Sequence, residues 1–274
     1  MPVIDEAKAA ALRETRGWLI DLDGVINRGD ALVEKAEEFI ALLRQTGTPF
    51  LFLTNNSTRT PEQYVRRLCG MGVFTELHEI YTSALATAEY LRRRAEPGAR
   101  IAMIGRDGLR LALEEAGFQV VDDPDQAQYC VVGYDPQLTY ADLVRAHAAL
   151  RAGATFIGTN FDPTLPVEGG RLVPGNGATL AALTTASGVR PTLIGKPERI
   201  IFDLALARLG IRAGACAVLG DRIDTDIAGG KGAGALGVLI LTGSTSAEQV
   251  AGAVPQPDLV VRDHAELMAL WRAR

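Results

Sequence analysis

Apolar bursts alternate with helix-period stretches at both ends of this chain, and that rhythm is the tightest constraint on its fold. From the N-terminus, Trp18 to Ile20 gives way to Ala31 to Arg44, then Phe50 to Leu53, then Pro61 to Gly70. Toward the C-terminus the pattern returns as Glu198 to Leu209, Ala215 to Leu219, Asp226 to Gly232 and Val238 to Leu241. Short continuous apolar runs separated by longer amphipathic segments are βαβ units, which build a parallel sheet with helices on its faces. The expected fold class is therefore α/β, a doubly wound, Rossmann-like parallel sheet.

The segment between these halves, roughly Ser83 to Ser187, has strands and helices of its own. Arg100 to Ile104, Tyr129 to Val132 and Thr155 to Ile157 read as strands, and Leu109 to Ala116 and Tyr140 to Arg151 as helices. This predicts a discontinuous core domain, 1–82 and 188–274, interrupted by an inserted α/β domain, 83–187. The Pro/Gly-rich stretch from Asp162 to Gly177 is expected to be a loop of the insert. A chain of 274 residues is long enough for two such domains.

The charge balance is 28 basic against 33 acidic residues, a net −5, and the arginines are scattered. Nucleic acid and anionic membrane are poor partners for such a surface, so an anionic ligand would need a local site. Arg92-Arg93-Arg94 is the single basic run and closes a helical pattern, where cations suit the helix dipole. Cys69, Cys130 and Cys216 are odd in number and far apart, which fits free thiols in a reducing compartment better than a disulfide framework. The first residues lack a basic segment followed by an apolar one, and no apolar run approaches a membrane span. The expected address is the cytoplasm.

In doubly wound sheets ligands bind beyond the carboxyl ends of the strands, so polar residues just after apolar bursts carry the most information. Four clusters meet that rule. Asp21-Leu22-Asp23-Gly24 follows Trp18 to Ile20: two carboxylates one residue apart can share a cation, and Gly24 permits a sharp turn. Thr54-Asn55-Asn56-Ser57 follows Phe50 to Leu53 and offers hydroxyl, amide and backbone N–H groups suited to phosphate, though by itself the stretch reads first as a loop and helix cap. Gly195-Lys196-Pro197 supplies a compact positive charge before a helix; the proline where Ser/Thr would stand rules against a P-loop. Gly220-Asp221-Arg222-Ile223-Asp224-Thr225-Asp226 crowds three acids into six residues, which repel unless a cation or basic partner lies among them.

Other motifs lead nowhere. Gly232-Ala233-Gly234-Ala235-Leu236-Gly237 matches the dinucleotide fingerprint literally, but it is expected to follow a helix and enter a strand, the reverse of the required context. His78, His147 and His264 stand apart from one another in no zinc-ligand spacing, and no G-x-S-x-G elbow occurs.

Each cluster has a bland reading as a turn or cap when taken alone. Their order along one chain, acid pair, Thr-Asn, Gly-Lys-Pro, then Gly-Asp with a further acid, resembles the haloacid dehalogenase (HAD) superfamily. The large insert and Gly-Asp-Arg-x-x-Thr-Asp-Ile at 220–227 resemble its NagD-like, 4-nitrophenylphosphatase branch, related to pyridoxal-phosphate and phosphoglycolate phosphatases. The resemblance implies an inserted cap domain and a Mg²⁺-dependent phosphatase acting on a small phosphorylated metabolite through an aspartyl-phosphate. Carried over, Asp21 is the nucleophile and Asp23 the general acid/base. Thr54, Asn55, Asn56 and Lys196 hold phosphate. Asp21, Asp221 and the Asp23 backbone carbonyl hold the metal, and Asp226 orients the groups around it. Asp224 has no assigned role. Asn160 and Asp162, at the end of an insert strand, are candidates for reading the leaving group, or are loop residues only. A homo-oligomer is allowed and not required.

Two rivals stand beside this expectation. The first is another chemistry on the same scaffold: a dehalogenase needs neither Asp23 nor Mg²⁺, so the acid pair and Asp221 argue against it, while a phosphotransferase differs only in the acceptor it admits. The second is a catalytically silent binding protein that keeps the fold alone. A silent protein usually tolerates loss of the nucleophile or acid, yet every expected position is filled here.

Overall fold

The computed structural model describes residues 6–166 and 171–272. The expectations that fall on residues 1–5 and 167–170 lie outside the described residues. The chain divides into two compact units, Met1–Thr54, Tyr64–Tyr81 and Lys196–Arg274 in the first, Asn55–Gln63 and Thr82–Gly195 in the second.

The first unit is built on a six-stranded sheet. Its strand order is Leu259–Val261, Leu236–Ile240, Cys216–Gly220, Gly17–Ile20, Phe50–Thr54 and Ile80–Thr82. Gly17–Ile20 pairs in parallel with Cys216–Gly220 on one side and Phe50–Thr54 on the other. All residues of these three strands are buried, which is why they read as continuous apolar runs rather than alternating ones. Trp18, Phe39, Phe52, Leu219, Val238 and Ile240 belong to one buried cluster, and Trp18 meets Phe39 and Trp271 edge-on at centroid distances of 5.2 and 5.7 Å. Each such side chain removed from water contributes about 1.5–3 kcal/mol. The helix Ala36–Gln45 turns Phe39, Ile40, Leu42 and Leu43 into this core, with Glu37 and Glu38 in its first turn and Arg44 in its last, as the helix dipole favours.

The second unit has a five-stranded parallel sheet in the order Thr192–Leu193, Thr155–Gly158, Tyr129–Val132, Arg100–Ile104, Gln119–Val120. Helices Ser83–Arg92, Asp107–Glu115, Tyr140–Arg151 and Asn176–Ser187 accompany it. The observed division differs from the expected 83–187 in two places. Thr192–Leu193 pairs with Thr155–Gly158, so the second unit runs on to Gly195. Asn55–Gln63 also joins it, because the Asn55 carbonyl accepts hydrogen bonds from Ser83 Oγ and Asn160 Nδ2 at 2.6 and 2.8 Å. Local pattern shows no pairing partner, so neither shift was legible.

The stretch expected as a plain loop, Asp162 to Gly177, contains an antiparallel pair, Thr164–Pro166 with Leu172–Pro174, and the start of the helix Asn176–Ser187. Its prolines terminate the two strands rather than excluding them. Gly232 closes a short helix, Ala228–Gly232, and Leu236–Ile240 follows as a strand, so the glycine-rich run has the helix-to-strand context expected of it. Cys69 is exposed, Cys130 and Cys216 are buried, and all three are free. Burial pushes both buried thiols up to about 12. Among the described residues no helix is long and apolar enough to cross a membrane.

Candidate active site

From the central strand Gly17–Ile20 the chain passes to Phe50–Thr54 on one side, while Cys216–Gly220 lies on the other. Strand order reverses at this point, and a crevice at the carboxyl ends is the geometric result. Asp21 stands directly after the central strand, its N–H donating to the Leu219 carbonyl at 2.9 Å, and Asp221 follows the neighbouring strand. Thr54, 3% exposed, ends the strand on the other side.

Lys196 is drawn into this crevice. Its Nζ donates to Asp21 Oδ1 at 2.5 Å, to Asp226 Oδ1 at 2.7 Å and to the Leu53 carbonyl at 3.0 Å, with only 4% of its side chain exposed. Asp226 comes from a π-helical turn, Ile223–Ile227, and its Oδ2 accepts from the Arg222 N–H at 3.2 Å. Asp221 Oδ2 accepts from the Ser244 N–H at 2.5 Å. Carboxylate oxygens of Asp21, Asp221 and Asp226 lie within 4.8 Å of one another.

Three carboxylates thus face one ammonium in a nearly dry place. Burial raises the Asp21 pKa well above the usual carboxylate range, and Asp226 and Asp221 add repulsion that Lys196 only partly offsets. Burial and Asp226 raise Asp221 as well, against the Ser244 N–H. Burial opposes the charge on Lys196, but Asp21 and Asp226 outweigh it and keep the ammonium protonated. The arrangement has an excess of buried negative charge, and Asp221 Oδ1 is buried with no hydrogen-bond partner. A hard divalent cation, which takes oxygen ligands, fits that donor set and that unpaired oxygen.

Asp23 stands apart from the trio. Its side chain is exposed, and its Oδ1 accepts from Asn27 Nδ2 at 3.0 Å. Asp224 is also exposed and forms a two-pronged pair with Arg222 at 2.7 and 3.1 Å, which accounts for it as a surface ion pair.

Asn55 and Asn56 belong to the second unit. Asn56 Oδ1 accepts from the Thr58 N–H and hydroxyl at 2.9 and 2.7 Å, and Asn55 Nδ2 donates to Asp162 Oδ2 at 3.1 Å. Asn160 and Asp162 are 4% and 6% exposed; Asn160 Oδ1 accepts from the Asp162 N–H at 3.2 Å. These bonds order the second unit internally.

Sequence reasoning passed over Thr242, Gly243, Ser244 and Asn27. The first three follow the strand Leu236–Ile240 and its neighbour Leu241, so the strand-end rule could have found them. Thr242 Oγ1 donates to the Gly24 carbonyl at 2.7 Å. A Cβ on Gly243 would lie 2.0 Å from Asp221 Oδ2, and one on Gly24, where φ is +89°, would lie 2.4 Å from the same atom. Only glycine lets both backbones close on that carboxylate.

A family model described as haloacid dehalogenase-like hydrolase matches residues 18–119, and a second HAD hydrolase-like model matches 193–267. Acid sugar phosphatase of Staphylococcus aureus (strain USA300) is 41% identical over 258 residues, covering 94% of this chain and 98% of the relative. The chain belongs to the haloacid dehalogenase-like hydrolases. Within these hydrolases it groups with phosphatases. The 4-nitrophenylphosphatase of Thermotoga maritima superposes with a TM-score of 0.90 at 33% identity, covering 96% of this chain and 99% of that one. Glycerol phosphate phosphatase of Mycobacterium tuberculosis, in complex with magnesium, gives 0.87 at 35% identity, covering 94% and 77%.

Proposed function

We propose that this HAD-like phosphatase hydrolyses small phosphomonoesters through an aspartyl-phosphate, with Asp21 as nucleophile and Asp23 as general acid/base. The observation that carries the reading is the Lys196 ammonium held between Asp21 and Asp226, with Asp221 beside them, at the crevice of the sheet. The relatives' names, a sugar phosphatase, a nitrophenylphosphatase and a glycerol phosphate phosphatase, support a small substrate.

In the first step an Asp21 carboxylate oxygen forms a bond to phosphorus while the bond to the leaving oxygen breaks, and Asp23 gives that oxygen its proton. In the second, water attacks phosphorus, Asp23 takes its proton, and the bond to Asp21 breaks to release inorganic phosphate. Lys196 neutralises part of the charge on Asp21 and the incoming phosphate, and Thr54 offers its hydroxyl and N–H at the strand end. Asp21 and Asp221 would hold Mg²⁺, with the Asp23 backbone carbonyl as a further oxygen and Asp226 beside them. Bound there, the cation supplies positive charge that lets a phosphate dianion approach a carboxylate. Charge neutralisation has to dominate, since proton transfer contributes only about 10²–10⁴-fold.

The test is release of inorganic phosphate by the purified protein from sugar phosphates, glycerol phosphate and 4-nitrophenyl phosphate, with Mg²⁺ or with chelator. Release that needs Mg²⁺ and vanishes in Asp21→Asn is expected. Turnover by Asp21→Asn equal to that of the unaltered protein would overturn the mechanism. Transfer to added alcohol in place of water would favour the phosphotransferase.

A further inference from the structure

We infer that Asn27 is a positioning residue for Asp23, an inference that rests on Asp23 acting as the general acid/base. Asn27 is fully buried, and its Nδ2 donates both to Asp23 Oδ1 at 3.0 Å and to the Gly29 carbonyl at 3.1 Å. The backbone builds this meeting. Gly24 N–H donates to the Asn27 carbonyl at 2.7 Å and Asn27 N–H to the Leu22 carbonyl at 3.1 Å, closing a tight turn that sets the Asp23 and Asn27 side chains side by side.

The orientation of the amide follows from its surroundings. Both neighbours of Nδ2 are oxygens, so a reversed amide would set Asn27 Oδ1 against two acceptors. In the orientation observed, Oδ1 is buried with no partner. An unpaired buried amide oxygen is destabilising, and a residue chosen only to fill this space would avoid it. What the asparagine achieves is a donor fixed on Oδ1 of an otherwise exposed carboxylate. Among the described residues no cation pairs with Asp23, and no other side chain is bonded to it. With Oδ1 engaged, Asp23 Oδ2 is the oxygen left to exchange a proton with the leaving group, in a fixed orientation rather than a freely rotating one.

A purely structural role predicts something different. Arg67 also donates to the Gly29 carbonyl, and Arg28 to the Thr242 carbonyl, so the same turn is tied down at points that do not touch Asp23. If Asn27 only secures the turn, losing Arg67 should imitate losing Asn27.

The experiment measures kcat/KM, which reports the phosphorylation step, across aryl and alkyl phosphates of rising leaving-group pKa. Good leaving groups need little protonation, and poor ones depend on it. In Asn27→Ala, kcat/KM should fall at least about tenfold more for glycerol phosphate than for 4-nitrophenyl phosphate. Asp23→Asn should show the same bias, more steeply, and Arg67→Met should show none. Asn27→Ser, too short to reach Asp23, serves if the alanine variant does not fold. An equal loss on all substrates in the Asn27 variants, or the same bias in Arg67→Met, would overturn the inference while leaving Asp23 in place. Absence of bias in Asp23→Asn would remove the general acid itself, and the inference with it.

Discussion

Lys196 Nζ lies 2.5 Å from Asp21 Oδ1, joining residues 175 positions apart in the chain. The same ammonium reaches Asp226, so one buried cation serves two carboxylates. Replacing Lys196 with methionine removes the charge but keeps much of the volume. Breaking a buried pair from one side leaves its partner uncompensated, at a cost of about 3–5 kcal/mol. Urea unfolding of Lys196→Met should show a loss of that order, together with loss of phosphate release. Unchanged stability would mean that the two aspartates do not depend on the lysine.

Divalent cation should stabilise the fold by binding the native acids, since any ligand specific to the native state raises the apparent stability. Added Mg²⁺ is expected to raise the melting temperature of the unaltered protein. Asp221→Asn removes the carboxylate whose Oδ1 is buried without a partner, so its melting temperature should no longer respond to Mg²⁺. An undiminished response in that variant would take Asp221 out of the metal site.

Gly243 is a steric test of the same carboxylate. Gly243→Ala would place a Cβ 2.0 Å from Asp221 Oδ2, far inside contact distance, so either the backbone or Asp221 must move. Such overpacking costs about 1–3 kcal/mol. Activity should drop and the Mg²⁺ requirement should shift to higher concentration; wild-type activity at low Mg²⁺ would show that the contact is not needed.

Stability should also depend on His264, buried beside Phe39 at a centroid distance of 5.7 Å and placed at the start of the helix His264–Arg272. Burial lowers its pKa to about 4, with Asp263 pulling the other way. The unfolded chain therefore binds a proton there from about pH 6.5 downward while the native state stays neutral until about 4. The stability contributed by the neutral ring is present above pH 6.5 and is lost as pH falls through that window, up to about 3 kcal/mol. Asp21 and Asp221, with raised pKa values, act in the opposite sense, so the comparison is between the unaltered protein and His264→Gln at each pH. The difference in unfolding free energy should shrink from pH 7 to pH 4; a constant difference would contradict the account.

Much of this was legible in the chain itself. Trp18 to Ile20, Phe50 to Leu53 and Cys216 to Leu219 are buried on both faces of a parallel sheet, and such strands must be apolar throughout, so their local composition betrays them. The polar residues that follow them break the apolar runs at the strand ends, which is why Asp21, Thr54 and Asp221 could be picked out one by one. The pairing of Thr192–Leu193 with Thr155–Gly158, and the hydrogen bonds of Ser83 and Asn160 to the Asn55 carbonyl, are contacts between distant residues and were not legible.

The sequence by itself therefore determined which residues stand at strand ends and which acid, hydroxyl or amine groups they bring there, because apolar runs are local properties of a chain. Only the tertiary structure decided that Asp226 shares Lys196 with Asp21, that Ser244 caps Asp221, that Asn27 holds Asp23, and that Asn160 and Asp162 bond within their own unit. Hydrogen bonds act over about 3 Å, and residues far apart in sequence reach that distance only through the order in which strands pair.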